Sequence, residues 1–192
     1  MGQYYKLMTL KTRSKEAKNT QNEKIDKWFY SHDFGNGLKL MEFSYVGSHL
    51  VNAFCSTLAG EAKIAVCGGD YADPDRKRQI RNLYNLYDLA TDKTKVNPVD
   101  YIDVCNKTYQ YIINEDTKQF VDVNKAKRDK WGMRVHPLPL LIAEGNGRGG
   151  GDYSTNRPDI DKVGIWARNL IRVSDEKPAK GYKELKVNFK EC

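Results

Sequence analysis

The sequence has few histidines, and its cysteines lack the spacing of metal or redox motifs. Its 192 residues include three histidines without a short paired spacing and four cysteines without a C-x-x-C pair. A zinc site and a dithiol redox motif are therefore not indicated, and the cysteines are expected to be reduced. No apolar run approaches the roughly 20 residues of a membrane span, and the first residues lack the features of a secretory signal. These absences predict a soluble, cytoplasmic protein that has no membrane partner.

Several catalytic and phosphate-binding motifs are also missing. No Gly-x-Ser-x-Gly segment is present, and no Gly-Lys-Ser/Thr follows a glycine run, so a nucleophile elbow and a P-loop are excluded. Gly145-x-Gly147-x-x-Gly150 matches the dinucleotide fingerprint literally. That fingerprint requires a helix that begins at the loop and holds the pyrophosphate at its N-terminus. Residues 151–158 have no helical pattern, so a Rossmann site is not predicted.

The most unusual stretch is the glycine-rich loop, residues 144–153, in which five of ten residues are glycine. Glycine permits positive φ and lets main-chain N–H groups approach a ligand closely, but ordering it is entropically costly. The loop is therefore interpreted as a backbone cradle for a polar or anionic molecule, with Arg148 as its charged clamp. Glu144 and Asp152 are predicted acceptors for hydroxyl or amide groups. The alternative is a flexible linker, which the apolar segments on both sides disfavour.

The charge balance favours anionic partners. The chain has 32 Lys and Arg against 25 Asp and Glu, a formal charge of +7, which attracts anions at long range. The basic residues form separate clusters at 6–27, 76–81 and 177–190, and each cluster is also explained as a solvated face. A nucleic-acid partner is only weakly supported because no recognised binding module accompanies the charge. The expected partner is an anionic small molecule, and the sequence does not indicate the oligomeric state.

Hydrophobic periodicity predicts one α+β domain over residues 1–192. Its sheet is mixed or largely antiparallel, with two main helices and the glycine-rich loop at the sheet rim. Predicted strands or extended segments cover 4–10, 38–45, 63–67, 134–143, 162–173 and 182–189. A hairpin joins 108–114 to 119–123. Residues 11–27 are predicted to be an exposed loop or frayed helix. Helices are predicted over 46–58, from the Asp73-Pro74 cap to about residue 91, and from Asn97-Pro98 to about 105.

Polar groups at strand ends and helix starts define the predicted site, because such residues often meet at one rim of a sheet. The candidate catalytic residues are His32, Asp33 and His136. The candidate ligand-binding residues are Asp70, Tyr71, Asp73, Glu144, Asn146, Arg148, Gly149, Gly150, Asp152, Tyr153, Trp166 and Arg168. Of these, Tyr71, Tyr153 and Trp166 are aromatic groups able to stack on a planar ring.

Plainer explanations exist for several of these residues. His32 and Asp33 also fit a simple turn, Asp73 is also a good helix cap, and His136 also fits a structural histidine. No cofactor is predicted. Magnesium is the exception if a phosphate ligand binds, since Asp70, Asp73 and Asp152 would then provide carboxylates for it.

The sequence resembles a family of small hypothetical proteins from bacteria, notably actinobacteria, and from bacteriophages. The resemblance runs through nearly the whole chain and rests on segments 2–5, 31–40, 69–73, 111–114, 120–122, 136–141, 144–153 and 163–168. It implies a cytoplasmic bacterial or viral setting and no particular activity. Cys67-Gly68 stands where the family has tryptophan or alanine, which weakens any catalytic role for Cys67.

The leading hypothesis is a protein that binds a nucleotide or another phosphorylated, ribose-containing molecule. Arg148 and Arg168 would hold phosphate, while Asp70, Glu144 or Asp152 would accept ribose hydroxyls. In a phage this could be the capture of a nucleotide signal of host defence. One alternative is a hydrolase or transferase of such a ligand, with His32 or His136 as general base and Asp33 orienting it. Another is an interaction module for nucleic acid or protein that uses the basic surfaces.

Overall fold

The chain folds around one eight-stranded sheet. The computed structural model describes residues 2–12, 25–72, 86–145, 150–153 and 156–190. The strands are β1 (Tyr5–Leu10), β2 (Ile25–Phe29), β3 (Lys63–Gly69), β4 (Tyr111–Asn114), β5 (Gln119–Asp122), β6 (Ala143–Glu144), β7 (Leu170–Ser174) and β8 (Lys183–Glu184). The helices are α1 (Leu40–Phe43), α2 (His49–Leu58), α3 (Leu86–Leu89) and α4 (Pro137–Leu141). The predicted α+β class is confirmed.

The sheet is mixed but mostly antiparallel. Its strand order is β2-β1-β3-β7-β4-β5-β8, and β6 pairs with β3 off this path. The pairings of β3 with β6 and of β5 with β8 are parallel, and the remaining strand pairings are antiparallel. The predicted hairpin is confirmed, because β4 and β5 flank a four-residue connection, residues 115–118.

Both faces of the central strands are buried, in line with the two-residue alternation of β-strands. Leu7 of β1 lies in the larger core cluster with Phe54 and Leu58 of α2. Met8, the next residue of β1, lies in a second cluster with Trp28, Val66 and residues of α3. Burial on both faces explains why β1 is apolar in both phases.

The helix predicted from the apolar stripe of residues 46–58 is confirmed as α2. It begins after an N-cap serine, Ser48. The Ser48 hydroxyl accepts a hydrogen bond from the Val51 N–H at 3.4 Å, as expected for a favoured cap residue. Asn97 likewise caps the predicted short helix, which is a 3-10 turn over Pro98–Tyr101. The second main helix, predicted for residues 73–91, falls mostly outside the described residues, with α3 near its end.

Five predicted segments are corrected. Residues 38–45 contain α1 rather than a strand, and residues 25–27, predicted as loop, belong to β2. The two long C-terminal strands shrink to β7 and β8, because turns and a 3-10 helix occupy residues 160–169 and the last residues have few ladder partners.

The fifth correction concerns residues 134–143, which contain α4. Pro137 and Pro139 both lie in its first turn, where a missing N–H costs nothing because the first four helical N–H groups have no intrahelical acceptor. The prolines therefore begin this helix instead of preventing it.

None of the helices in the described part of the chain combines the length and the apolar character that a membrane crossing demands. Cys55 and Cys67 are buried free thiols, as expected for small core residues.

Candidate functional site

The carboxyl ends of two parallel strands place the candidate site at one rim of the sheet. Gly68 of β3 pairs with Glu144 of β6, so Asp70 and Gly145 leave the sheet side by side. The antiparallel β1 brings its first residues to the same rim, where Tyr5 pairs with Gly69. The Tyr4 N–H donates to the Asp70 carboxylate at 2.9 Å. In open parallel α/β sheets, ligands bind beyond the carboxyl ends of the strands, and the β3–β6 pair has the same local arrangement.

Two buried side chains lie against the glycines of this rim. The Gln3 side chain is fully buried, and its amide oxygen would lie 2.4 Å from a Cβ placed on Gly145. The Tyr5 hydroxyl would also clash with that Cβ, and a Cβ placed on Gly69 would lie 2.5 Å from the Gln3 amide oxygen. The glycines here allow close packing, and Tyr5 and Gln3 form the floor of the rim.

The far arm of the glycine-rich loop is attached to other elements. The Met41 N–H donates to the Gly151 carbonyl at 2.9 Å, and the Tyr153 ring is buried edge-on against Phe189 at 5.3 Å. The Tyr153 hydroxyl donates to the Pro158 carbonyl at 2.5 Å and accepts from the Lys190 N–H at 3.2 Å. Residues 150–153 are therefore held from several sides.

Asp152 is a buried carboxylate whose polar neighbour among the described residues is the Tyr5 hydroxyl. Asp152 is 6 % exposed. Neither of its carboxylate oxygens has a hydrogen bond of normal geometry within the described residues. Burial, together with the negative charge of Asp70, raises the pKa of Asp152, and the nearby Tyr5 hydroxyl partly opposes this. Burial and the Asp152 charge in turn raise the pKa of Tyr5. A buried carboxylate is costly unless its acceptor positions are filled, and one hydroxyl fills only part of them, so Asp152 is suited to a ligand donor.

Glu144 and Arg168, two predicted ligand-binding residues, bind each other. The guanidinium donates twice, from Nε to Oε1 at 2.5 Å and from Nη2 to Oε2 at 2.8 Å. Arg168 has a positive φ of 62°, and its N–H donates to the Ala65 carbonyl at 2.9 Å. This bidentate pair closes one side of the rim. Arg168 is therefore poorly placed to act as a phosphate clamp, the role predicted for it.

Arg157 is a cation at this site that the sequence did not single out. Its guanidinium lies over the Tyr153 ring, 5.3 Å from the centroid. Its Nε and Nη1 atoms are buried and have no hydrogen-bond partner within the described part of the chain. Asp152 thus precedes Tyr153 in the chain and Arg157 lies over its ring, and each has unused hydrogen-bonding capacity. Arg157 precedes a proline in a segment without periodicity, so no sequence pattern marked it.

His136 is the N-cap of α4 and is 1 % exposed. Its Nδ1 accepts a hydrogen bond from the Leu138 N–H at 3.3 Å. Burial, assisted by the charge of Arg134, lowers the pKa of His136 to about 3. The ring is thus neutral and engaged in the fold, which is the structural role considered for it.

His32 and Asp33 lie in a 3-10 helix, Ser31–Phe34, which follows β2. The Asp33 carboxylate pairs with Lys95 at 2.9 Å and lines a shallow apolar groove that also contains His49 and Val99. His32 Nδ1 lies 3.4 Å from the Tyr30 hydroxyl. Asp33 pairs with lysine and not with the imidazole, so the geometry gives no His-Asp dyad.

The predicted stacking residues differ in accessibility. Trp166 is fully buried, and its indole N–H donates to the Gln119 side chain at 3.3 Å. Tyr153 is 3 % exposed, whereas Tyr71 is 43 % exposed beside Asp70. Tyr71 alone among the three presents its ring to solvent.

Four predicted site residues, Asp73, Asn146, Arg148 and Gly149, lie outside the described residues. Of the other candidates, the rim contains Asp70, Tyr71, Glu144, Gly150, Asp152, Tyr153 and Arg168. Within the described segments, no three His, Cys, Asp or Glu side chains are grouped as metal ligands.

Comparisons with protein-family models, curated proteins and solved structures find no match to this chain. The site's geometry is therefore the basis for the functional argument.

Proposed function

We propose that the rim formed by β1, β3, β6 and the glycine-rich loop binds a nucleotide or another phosphorylated, ribose-containing small molecule. The observation that carries the proposal is the buried Asp152 carboxylate, for which the Tyr5 hydroxyl is the one side-chain donor that the described residues offer. A ribose diol offers two hydroxyl donors to such an acceptor, as acidic residues do in other nucleotide sites. The charge-assisted bonds would offset the cost of burying Asp152.

Arg157 and the glycines supply the complementary donors for phosphate. Two Arg157 nitrogens have no partner in the described segments, and a guanidinium binds phosphate oxygens in a planar, bidentate manner. The main-chain N–H groups of Gly150 and Gly151, in the described part of the loop, would add further donors. This proposal replaces Arg168 with Arg157 as phosphate clamp, because Arg168 is already bonded to Glu144.

The ring of Tyr71 is the surface on which a base would stack. Tyr71 directly follows Asp70 at the end of β3 and is 43 % exposed. An exposed aromatic ring beside a polar cleft contributes both apolar area and π stacking to a planar ligand. Trp166 and Tyr153 have no role in the proposal because both are in the core.

The test is a thermal-shift screen against nucleotides, cyclic dinucleotides, ADP-ribose derivatives and the matching nucleosides. A ligand at 100 times its Kd stabilises the folded state by about 2.7 kcal/mol. Asp152→Asn should weaken nucleosides and nucleotides alike, because both carry the ribose. Arg157→Gln should weaken only the phosphorylated ligands. Asp161→Asn, a change at an exposed carboxylate, is the matched control. No shift with any of these ligands at millimolar concentration would reject the proposal.

Asp152→Asn also has a ligand-free readout. Because burial raises the pKa of Asp152 in the folded state, its ionisation at neutral pH opposes folding. The variant should be at least as stable as the wild type without ligand, which separates lost binding from lost folding. Mass analysis of recovered ligand then distinguishes capture, which returns it intact, from turnover by a hydrolase or transferase.

A further inference from the structure

A basic loop with an exposed tryptophan lies outside the rim site. Residues 125–134, here called the Trp131 loop, read Lys-Ala-Lys-Arg-Asp-Lys-Trp-Gly-Met-Arg. Trp131 is 71 % exposed and Met133 is 43 % exposed. Large aromatic side chains are usually buried in a folded chain. An indole with this exposure at a loop tip is therefore available to a partner.

The loop is held in a defined shape by one carboxylate. Asp129 Oδ1 accepts hydrogen bonds from the N–H groups of Trp131 and Met133, both at 2.8 Å. The Asp129 N–H donates to the Met133 carbonyl at 2.8 Å, and Arg128 donates to the Gly132 carbonyl at 2.8 Å. Arg128 and Arg134 form an antiparallel bridge at its base. The indole is thus presented from an ordered turn, which lowers the entropy lost on binding.

The charge around the indole is strongly positive. The Trp131 loop contains five basic residues and one acid. Lys125 pairs with Glu184 at 2.5 Å, and Asp129, the acid, uses its Oδ1 inside the turn, which leaves four basic residues around the indole. The Lys130 ammonium lies 5.2 Å from the centre of the Trp131 ring. Cations beside an exposed aromatic ring match the phosphates and bases of a nucleic-acid strand.

We propose that the Trp131 loop binds single-stranded nucleic acid, with one base stacked on Trp131 and the backbone phosphates on the surrounding lysines and arginines. Stacking tolerates any base because each has a π face, so the binding would have little sequence preference. A membrane surface fits less well, because interfacial anchors need a broad apolar face and this loop exposes two large apolar side chains. The proposal is independent of the rim site.

The experiment is a titration of the full chain with fluorescently labelled oligothymidylate and oligouridylate at low salt, followed by anisotropy. Trp131→Ala should weaken binding roughly 5- to 100-fold, the range for loss of one stacked base. Trp131→Phe should retain most of the affinity, since it keeps an aromatic ring. Lys130→Ala should weaken binding and reduce its salt dependence. Lys180→Ala, a change at an exposed lysine outside the loop, should do neither.

Intrinsic fluorescence provides a second, local readout. Trp28 and Trp166 are 5 % and 0 % exposed, so quenching by unlabelled oligonucleotide should come from Trp131 and disappear in Trp131→Phe. Absence of binding at low salt, or equal affinity in Trp131→Ala, would overturn the proposal. A blue shift with phosphatidylserine vesicles and no response to oligonucleotide would also overturn it, in favour of a membrane surface.

Discussion

At the scale of single residues, Gly145 and Gly150 of the glycine-rich loop differ in their surroundings. A Cβ on Gly145 would meet the Tyr5 hydroxyl and the Gln3 amide, whereas a Cβ on Gly150 would meet nothing within 4 Å. Tyr5 and Gln3 are both buried, so neither moves aside easily in a packed interior. Close packing therefore requires glycine at position 145 and does not require it at position 150.

Gly145→Ala is expected to destabilise the protein by about 1–3 kcal/mol, the usual cost of overpacking. Gly150→Ala should change stability by less than about 0.5 kcal/mol, as for a surface substitution. Urea unfolding of both variants measures the difference. If the two substitutions had equal effects, the close packing of Gln3 and Tyr5 against Gly145 would be contradicted.

The roles of charged residues depend on partners that are distant in sequence. Glu144 and Arg168 are 24 residues apart and form a bidentate pair. Sequence composition correctly indicated that both are polar groups near the glycine-rich loop. It could not indicate that they neutralise each other, because the pairing depends on where the chain places Arg168 after the turns that precede β7.

At the scale of elements, the β4–β5 hairpin depends on one buried asparagine. Asn114 is fully buried, and its Oδ1 accepts from the N–H groups of Asp116 and Thr117 at 3.0 and 3.1 Å. Its Nδ2 donates to the Asn169 side chain at 3.2 Å. The side chain thus organises the connection and ties it to the residue before β7.

Asn114→Ala is expected to cost about 1–3 kcal/mol, because the turn N–H groups lose their acceptor. Asn169→Ala removes only the bond between the side chains and should cost less. Chemical denaturation of the two variants gives the comparison. Equal losses would assign the effect to the side-chain pair and not to the turn.

Local patterns predicted some elements well and others poorly. The apolar stripe of α2, the Asn97-Pro98 cap and the hairpin were predicted correctly, because each depends on residues close in sequence. The error at α4 came from treating two prolines as helix breakers without considering that both occupy the first turn. The error at 38–45 reflects short apolar runs, for which periodicity does not separate helix from strand.

At the scale of the whole molecule, the two faces of the sheet are covered by core clusters, and the rim lies at the ends of its strands. Strands β1 and β3 are buried on both faces, while their ends at Tyr5 and Gly69 turn toward the glycine-rich loop. The sequence predicted the loop at a sheet rim, but it did not reveal that β1, β3 and β6 form that rim, because this depends on strand order and direction. The unused hydrogen-bonding capacity of Asp152 and of Arg157 is recognised only once the chain is folded.

The stability of the whole fold should depend on pH through His136. Burial lowers its pKa to about 3 in the folded state, against about 6.5 in an unfolded chain. Below pH 6.5 the unfolded chain therefore binds a proton that the folded chain does not, and stability falls as pH decreases. The contribution of the neutral His136 ring to the free energy of unfolding is fully present above pH 6.5 and is lost progressively toward pH 3.

This titration is expected to cost about 2 kcal/mol between pH 7 and pH 5. His136→Asn should remove that part of the pH dependence, because asparagine does not titrate and its side-chain oxygen can still cap α4. Urea unfolding of both proteins at pH 7, 6 and 5 provides the measurement, with His32 and His49 unchanged in each. The two stability curves should converge as pH falls, since the wild type loses more. Parallel curves would mean that His136 takes up its proton in the folded protein too, which would require a ring more open to water than the N-cap position of α4 allows.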